Sequence, residues 1–235
     1  MRKELSLHFY ARLAGFLYLF IIAIFDAADY FILTPAIVPG NFAASAQNVM
    51  ASETLYRFGL ACQFAASWLT IGLAGSLYVV VRAVDPSVAM FALAFRIVEA
   101  ALGSICTLSS FVALRLYTGA STAFGEDQSQ VLVQLLGRFY GACFQMTVIF
   151  FSVGSILFFY LFLKSRLIPR LISGFGIFAS ILVTLLGFSN LVVPRYSEAL
   201  SPGWIAILVA EVAAGLWLLI KGVDLSFWKT REALS

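Results

Sequence analysis

The chain is organised as six long runs of apolar residues separated by short connections. Each run is about 20 residues or longer, the length that an α-helix needs to cross the hydrocarbon core of a bilayer. The runs cover residues 11–33, 55–81, 88–114, 136–163, 170–193 and 203–222. The pattern predicts an all-α fold: a polytopic membrane protein with a bundle of about six transmembrane helices, in which residues 1–235 form a single transmembrane domain.

Helix-breaking residues support these boundaries. The chain contains six prolines, and every one lies in or beside a connection: Pro35, Pro39, Pro86, Pro169, Pro194 and Pro202. Proline removes a backbone donor and clashes with the preceding helical turn, so it marks the ends of helices. The longest predicted connections, 34–54 and 115–135, are too short for a separate domain.

The composition excludes an ordinary soluble domain. Hydrophobic residues make up 62% of the chain and charged residues only 11%, whereas a soluble domain carries about 25% charged residues to cover its surface. A lipid environment accounts for this difference, and membrane lipids are therefore the expected partners. The net charge of +3 is too small to indicate binding to nucleic acid.

The basic residues are distributed unevenly between the two sides of a six-span arrangement. Ten of them fall on one side: Arg2, Lys3, Arg12, Arg82, Lys164, Arg166, Arg170, Lys221, Lys229 and Arg231. Four fall on the other: Arg57, Arg115, Arg138 and Arg195. Lys and Arg are enriched in cytoplasmic connections. We therefore expect a multi-pass protein of the cell inner membrane with cytoplasmic N- and C-termini.

Three ionisable residues lie inside apolar runs, where charges are costly and seldom placed without a role. Arg96 and Glu99 share one face of the third predicted span, and Glu211 lies near the middle of the sixth. One interpretation is a buried polar site that binds a small ligand or ion. The other is a structural ion-pair network that locks the third and sixth spans together.

Four further charged residues lie near the other end of the spans. Asp26 and Asp29 end the first run, and Arg57 and Arg138 open the second and fourth runs. They predict either an outward-facing vestibule that binds the ligand on its way to the buried site, or side chains that simply extend to the lipid headgroups.

Several kinds of chemistry find no support in the sequence. His8 is the only histidine, and the three cysteines, Cys62, Cys106 and Cys143, all lie inside apolar runs without a metal-binding spacing. Haem, zinc and serine–histidine sites normally need histidine within the fold. We therefore expect no metal, no cofactor and no catalytic residues of a recognisable class.

Five segments resemble a bacterial membrane-protein family known as domain of unknown function 4386. They are Ala11–Leu19 (ARLAGFLYL), Ser52–Arg57 (SETLYR), Phe95–Ala100 (FRIVEA), Lys164–Arg170 (KSRLIPR) and Glu211–Val223. The resemblance covers nearly the whole chain in the same order. It implies a multi-pass inner-membrane protein and brings no activity with it.

Three functional hypotheses follow. The first is a membrane protein that binds or translocates a small ligand or ion, which a water-filled cavity reaching Glu99 would favour. The second is a non-catalytic scaffold, sensor or assembly partner, which a dry interior with every charge paired would favour. The third is an intramembrane enzyme acting on a lipid, which a groove open to lipid with a carboxylate at its base would favour.

Overall fold

The computed structural model describes residues 2–119 and 125–224, with side chains from Leu5 onward. In these residues the chain forms helices and no strand. The elements are α1 (Arg2–Ala28), a π-helical segment (Asp29–Leu33), α2 (Thr34–Ala36), α3 (Phe42–Ala51), α4 (Glu53–Val81), α5 (Pro86–Tyr117), α6 (Glu126–Ser165), α7 (Arg170–Val192), a 3-10 turn (Pro194–Tyr196), α8 (Ser197–Leu200) and α9 (Gly203–Ile220).

Six of the described helices are long and apolar enough to cross a membrane. They are α4, α5, α6, α7, α9 and the continuous helix Leu5–Ala36, which joins α1 to α2 through the π-helical segment. These helices confirm the predicted all-α fold of a multi-pass membrane protein. The predicted boundaries hold within a few residues, with two exceptions. Helix α1 begins at Arg2 and not at residue 11, and α6 begins at Glu126 and not at residue 136. Glu126 and Asp127 open this helix, where acidic side chains stabilise the positive end of the helix dipole.

The predicted connection 34–54 contains a helix, α3, that the apolar-run criterion missed. Its ten residues are too few for a span and include several small or polar ones. The Asn41 side chain caps it by accepting a hydrogen bond from Ala44 N at 3.0 Å. Ser45 ties it to the preceding connection, because its hydroxyl accepts a hydrogen bond from Val38 N at 2.9 Å. The start of this helix is thus marked by capping hydrogen bonds and not by the hydropathy of its residues.

The π-helical segment Asp29–Leu33 precedes Pro35. A proline ring cannot pack against the carbonyl group four residues earlier, which here belongs to Phe31. Widening the helix over one turn relieves this clash without ending the helix. The segment begins at Asp29, and the position of that carboxylate therefore depends on the local widening.

The chain divides into two compact units. Unit 1 comprises Met1–Phe20, Leu69–Glu99 and Gln145–Ser235, and unit 2 comprises Ile21–Trp68 and Ala100–Phe144. In unit 1, α7 and α9 pack against each other as a helical hairpin. The core of unit 2 lies between α3, α4 and α5 and includes Val49, Tyr56, Leu60 and Leu114.

Several helix ends lie together at one face of unit 1. Lys164 Nζ at the end of α6 lies 3.3 Å from Asp85 Oδ2 between α4 and α5. Past the end of α9, Asp224 N donates a hydrogen bond to Leu167 O at 3.0 Å. His8 of α1 also lies against Gly222. The connections that carry most of the predicted cytoplasmic basic residues thus lie together, while Lys229 and Arg231 are outside the described residues.

Candidate functional site

Arg96 is the centre of a buried charge cluster in unit 1. It lies on α5 with only 3% of its surface exposed. Its Nε lies 3.0 Å from Glu99 Oε2, one turn further along the same helix. The spacing of three residues places the two side chains on one helical face, as the sequence predicted.

The second carboxylate comes from α9. Glu211 Oε1 lies 4.0 Å from Arg96 Nη1, and 10% of the Glu211 side chain is exposed. Arg96 therefore contacts both carboxyl groups. Glu99 is the closer partner of the guanidinium. Because the Coulomb energy falls with distance, Glu211 is held more weakly.

Helix α6 forms another side of the cluster. Arg96 Nη1 donates a hydrogen bond to Ser155 Oγ at 3.3 Å, and its guanidinium carbon lies 5.0 Å from the centre of the Phe151 ring. Between these two residues, Gly154 faces the methylene groups of Arg96. The sequence did not identify Ser155 as a partner of Arg96.

Helix α1 reaches the cluster through two glycines. A Cβ added at Gly15 would lie 2.6 Å from Gly215 O, so α1 and α9 approach each other backbone to backbone. Tyr18, three residues after Gly15, is 3% exposed and lies within electrostatic reach of Glu211, Arg96 and Glu99. This tyrosine could not be identified from the sequence, since a single Tyr in an apolar run carries no signal by itself.

The charges of the cluster do not balance. One guanidinium faces two carboxyl groups, so with all three ionised the cluster would carry one surplus negative charge. Three of its buried atoms, Arg96 Nε, Glu99 Oε2 and Glu211 Oε1, have no hydrogen-bond partner among the residues that the structure describes. The 3.0 Å contact between Arg96 and Glu99 is thus an ion pair without the alignment of a hydrogen bond. A buried surplus charge is costly unless it is neutralised or paired.

A line of polar side chains runs along the interface of α6 and α7 in unit 1. Asn190 Nδ2 donates a hydrogen bond to Gln145 Oε1 at 2.9 Å, and Thr184 Oγ1 donates one to Ser152 Oγ at 2.8 Å. Ser152 is fully buried. From Gln145 to Ser155 the line covers ten residues of α6, about 15 Å at the rise of an α-helix.

The four remaining predicted residues lie in unit 2. Arg57 Nη2 pairs with Glu53 Oε1 at 2.6 Å along α4, with both side chains about two-fifths exposed (39% and 40%). Arg138 and Asp26 are exposed, and Asp29 is half-buried. Asp29 lines a cavity of about 450 Å³ in this unit. Arg57, Arg138 and Asp26 do not line that cavity.

No metal-binding cluster is present in the described ranges 2–119 and 125–224, where no three His, Cys, Asp or Glu side chains come together. No curated protein and no solved structure matches the sequence significantly. Residues 13–222 match the family described as Domain of unknown function (DUF4386). The match covers most of the chain, including all three members of the buried cluster. The chain belongs to this family of domains of unknown function.

Proposed function

We propose that this membrane protein binds and transfers a proton at the cluster formed by Arg96, Glu99 and Glu211. The observation that carries the proposal is the surplus carboxyl group in a buried site with one guanidinium. A proton on one carboxyl group would neutralise the cluster. Glu211 is the carboxyl group that would hold it, because its oxygen lies 4.0 Å from the guanidinium, whereas that of Glu99 lies 3.0 Å away.

A proton fits this site better than the other small ions. A metal cation needs several oxygen ligands. Arg96, whose nitrogens lie 3.0 Å and 4.0 Å from the two carboxyl groups, would repel a cation bound to them. An anion would add to the surplus negative charge. A proton needs a single oxygen atom, and carboxyl groups inside membranes commonly serve as proton relays.

The polar line between α6 and α7 supports transfer as well as binding. Hydroxyl groups can both donate and accept hydrogen bonds, so Thr184 and Ser152 would carry a proton toward Ser155 and the buried cluster with intervening water molecules. Gln145 and Asn190, hydrogen-bonded to each other, would hold such water molecules in place. Such side chains also hold membrane helices together by hydrogen bonds. The line supports transfer because it leads along α6 to Ser155, which contacts Arg96.

A non-catalytic scaffold is the second candidate, and one observation favours it. Arg96 contacts α6 through Ser155 and α9 through Glu211, while it lies on α5 itself. An ion-pair network that joins three helices fixes their relative positions. In that case the surplus charge would be an incidental cost of the network.

We also propose that the protein lies in a bacterial inner membrane with both termini in the cytoplasm. The uneven distribution of basic residues supports this orientation. The gathering of the α4–α5 connection, the α6–α7 connection and the end of α9 at one face of unit 1 supports an even number of spans.

Proton transfer can be measured in lipid vesicles that contain the purified protein and a trapped pH-sensitive dye. A potassium diffusion potential, negative inside, should drive proton entry with the wild-type protein. We expect Glu211→Gln to abolish this entry, since an amide cannot exchange a proton in the same way. Glu198→Gln, a change at an exposed residue outside the spans, is the matched control. Equal proton entry with Glu211→Gln and with the wild type would contradict the proposal.

A further inference from the structure

The cavity in unit 2 has the size and lining of a binding site for an organic molecule. Its volume is about 450 Å³, within the range of roughly 300–1,000 Å³ that is typical of small-molecule sites. Apolar side chains such as Leu33, Phe42 and Val133 form much of the wall. Asp29 is the one charged residue among the described residues that line it. The cavity therefore offers a single negative charge in a largely apolar wall.

The Asp29 carboxylate is positioned by two donors. Gln63 Nε2 donates a hydrogen bond to Oδ1 at 3.3 Å, and Thr34 Oγ1 donates one to Oδ2 at 3.4 Å. A carboxylate can accept about four hydrogen bonds, so both oxygens keep capacity for a ligand. The π-helical segment that begins at Asp29 is of a kind frequently found at functional sites.

Three tyrosines line the same cavity: Tyr56, Tyr117 and Tyr140. Tyr56 and Tyr117 are buried, with 5% and 6% of their surface exposed. Tyr56 and Tyr140 both lie within electrostatic reach of Asp29. Aromatic rings attract cations over their faces, and rings combined with a carboxylate are the usual means of binding an ammonium group.

We propose that this cavity binds an organic cation, with its ammonium group at Asp29 among the tyrosines and its apolar part against Leu33, Phe42 and Val133. An anionic ligand would meet the negative charge of Asp29 without a basic residue to offset it among the described lining residues. A bare metal ion would find only one carboxylate and a mainly apolar wall. A neutral apolar molecule would leave the carboxylate without a partner of opposite charge.

The test uses the purified full-length protein and a fluorescent styrylpyridinium cation whose emission rises in an apolar site. Phenethylammonium should displace this probe, whereas the neutral phenethyl alcohol, which has a similar shape, should not. Asp29→Asn keeps the shape of the side chain and an acceptor for Gln63 or Thr34. We expect it to weaken binding of the probe at least about tenfold.

Two further variants complete the experiment. Asp26→Asn removes a carboxylate on the same helix that is exposed and does not line the cavity, and binding should be unchanged. Ala113→Phe places a bulky ring inside the cavity and should abolish binding even if Asp29→Asn does not fold. Displacement by the alcohol as readily as by the ammonium compound would overturn the proposal, and so would full binding in either Asp29→Asn or Ala113→Phe.

Discussion

Gly154 of α6 leaves the space in which the methylene groups of Arg96 lie. A Cβ added at Gly154 would lie 3.0 Å from Arg96 Cδ and 3.1 Å from Arg96 Cγ. The arginine cannot move away freely, because its nitrogens contact Glu99, Glu211 and Ser155. The absence of one side chain on α6 thus permits the charge cluster on α5 and α9 to form.

Replacing Gly154 by alanine should therefore disturb the cluster. We expect Gly154→Ala to lower the free energy of unfolding by about 1–3 kcal/mol, the usual cost of adding a methyl group to a packed interior. Thermal unfolding of the purified protein would measure it. Gly141→Ala on the same helix is the control, because its Cβ would meet no atom within 4 Å. Equal unfolding temperatures for the two variants would show that Arg96 is not confined by α6.

Removing the guanidinium should cost more than removing the whole cluster. Arg96→Met leaves two buried carboxyl groups without their cation, and breaking a buried ion pair costs about 3–5 kcal/mol. The triple variant Arg96→Met, Glu99→Leu, Glu211→Leu removes all the buried charges and should recover most of the lost stability. The amount of folded protein in the membrane and its thermal unfolding would be compared.

The same triple variant separates the two functional candidates. If the cluster transfers protons, the triple variant should fold but fail to restore the phenotype of a deletion strain. Complementation equal to that of the wild type would exclude the proton-transfer proposal and favour the scaffold.

Asp85, which lies outside the spans, should make the stability of the protein depend on pH. The hydrogen bond from Val88 N at 3.2 Å and the ion pair with Lys164 lower the pKa of Asp85 below its ordinary value of 3.8. A carboxyl group with a lowered pKa in the folded state stabilises the protein above the ordinary pKa, and this stabilisation is lost as the pH falls through the lowered value. Asp85→Asn should therefore reduce the loss of stability on acidification below about pH 4.

Thermal unfolding of the wild type and of Asp85→Asn across this range would test the effect. We expect a small difference, because Asp85 and Lys164 are both accessible to solvent. Parallel pH profiles would contradict a folded-state contribution from this carboxylate.

Topology can be tested with single cysteines in a background without Cys62, Cys106 and Cys143. A membrane-impermeant maleimide should label Glu126→Cys in intact spheroplasts and should label Arg170→Cys only after lysis. The reason is the excess of basic residues on the side of Arg170. If Arg170→Cys alone were labelled in intact spheroplasts, the orientation of the protein would be the opposite of the one proposed.

The positions of the spans could be predicted from the sequence because a bilayer requires long apolar helices and proline marks their ends. The pair of Arg96 with Glu99 was also predictable, since a spacing of three residues fixes neighbours on a helix. Helix α3 was not predictable from hydropathy, because its stability depends on the cap at Asn41 and on burial of a few small residues.

Contacts between different helices were harder to predict. From the sequence, Glu211 was expected near Arg96 only because a buried charge needs a partner of opposite sign. It gave no indication that Tyr18 would join them, because that contact depends on the close approach of Gly15 and Gly215. The role proposed for Asp29 likewise required the structure, since only the structure shows which charged residues line the cavity and which do not.

The most direct test of the central claim is the infrared spectrum of the purified protein at neutral pH. A protonated carboxyl group has a carbonyl stretching band that an ionised carboxylate lacks, and the band shifts in heavy water. We predict such a band in the wild-type protein, its loss in Glu211→Gln and its retention in Glu198→Gln. A wild-type spectrum without this band would mean that both Glu99 and Glu211 are ionised, and it would contradict the assignment of a proton to the cluster.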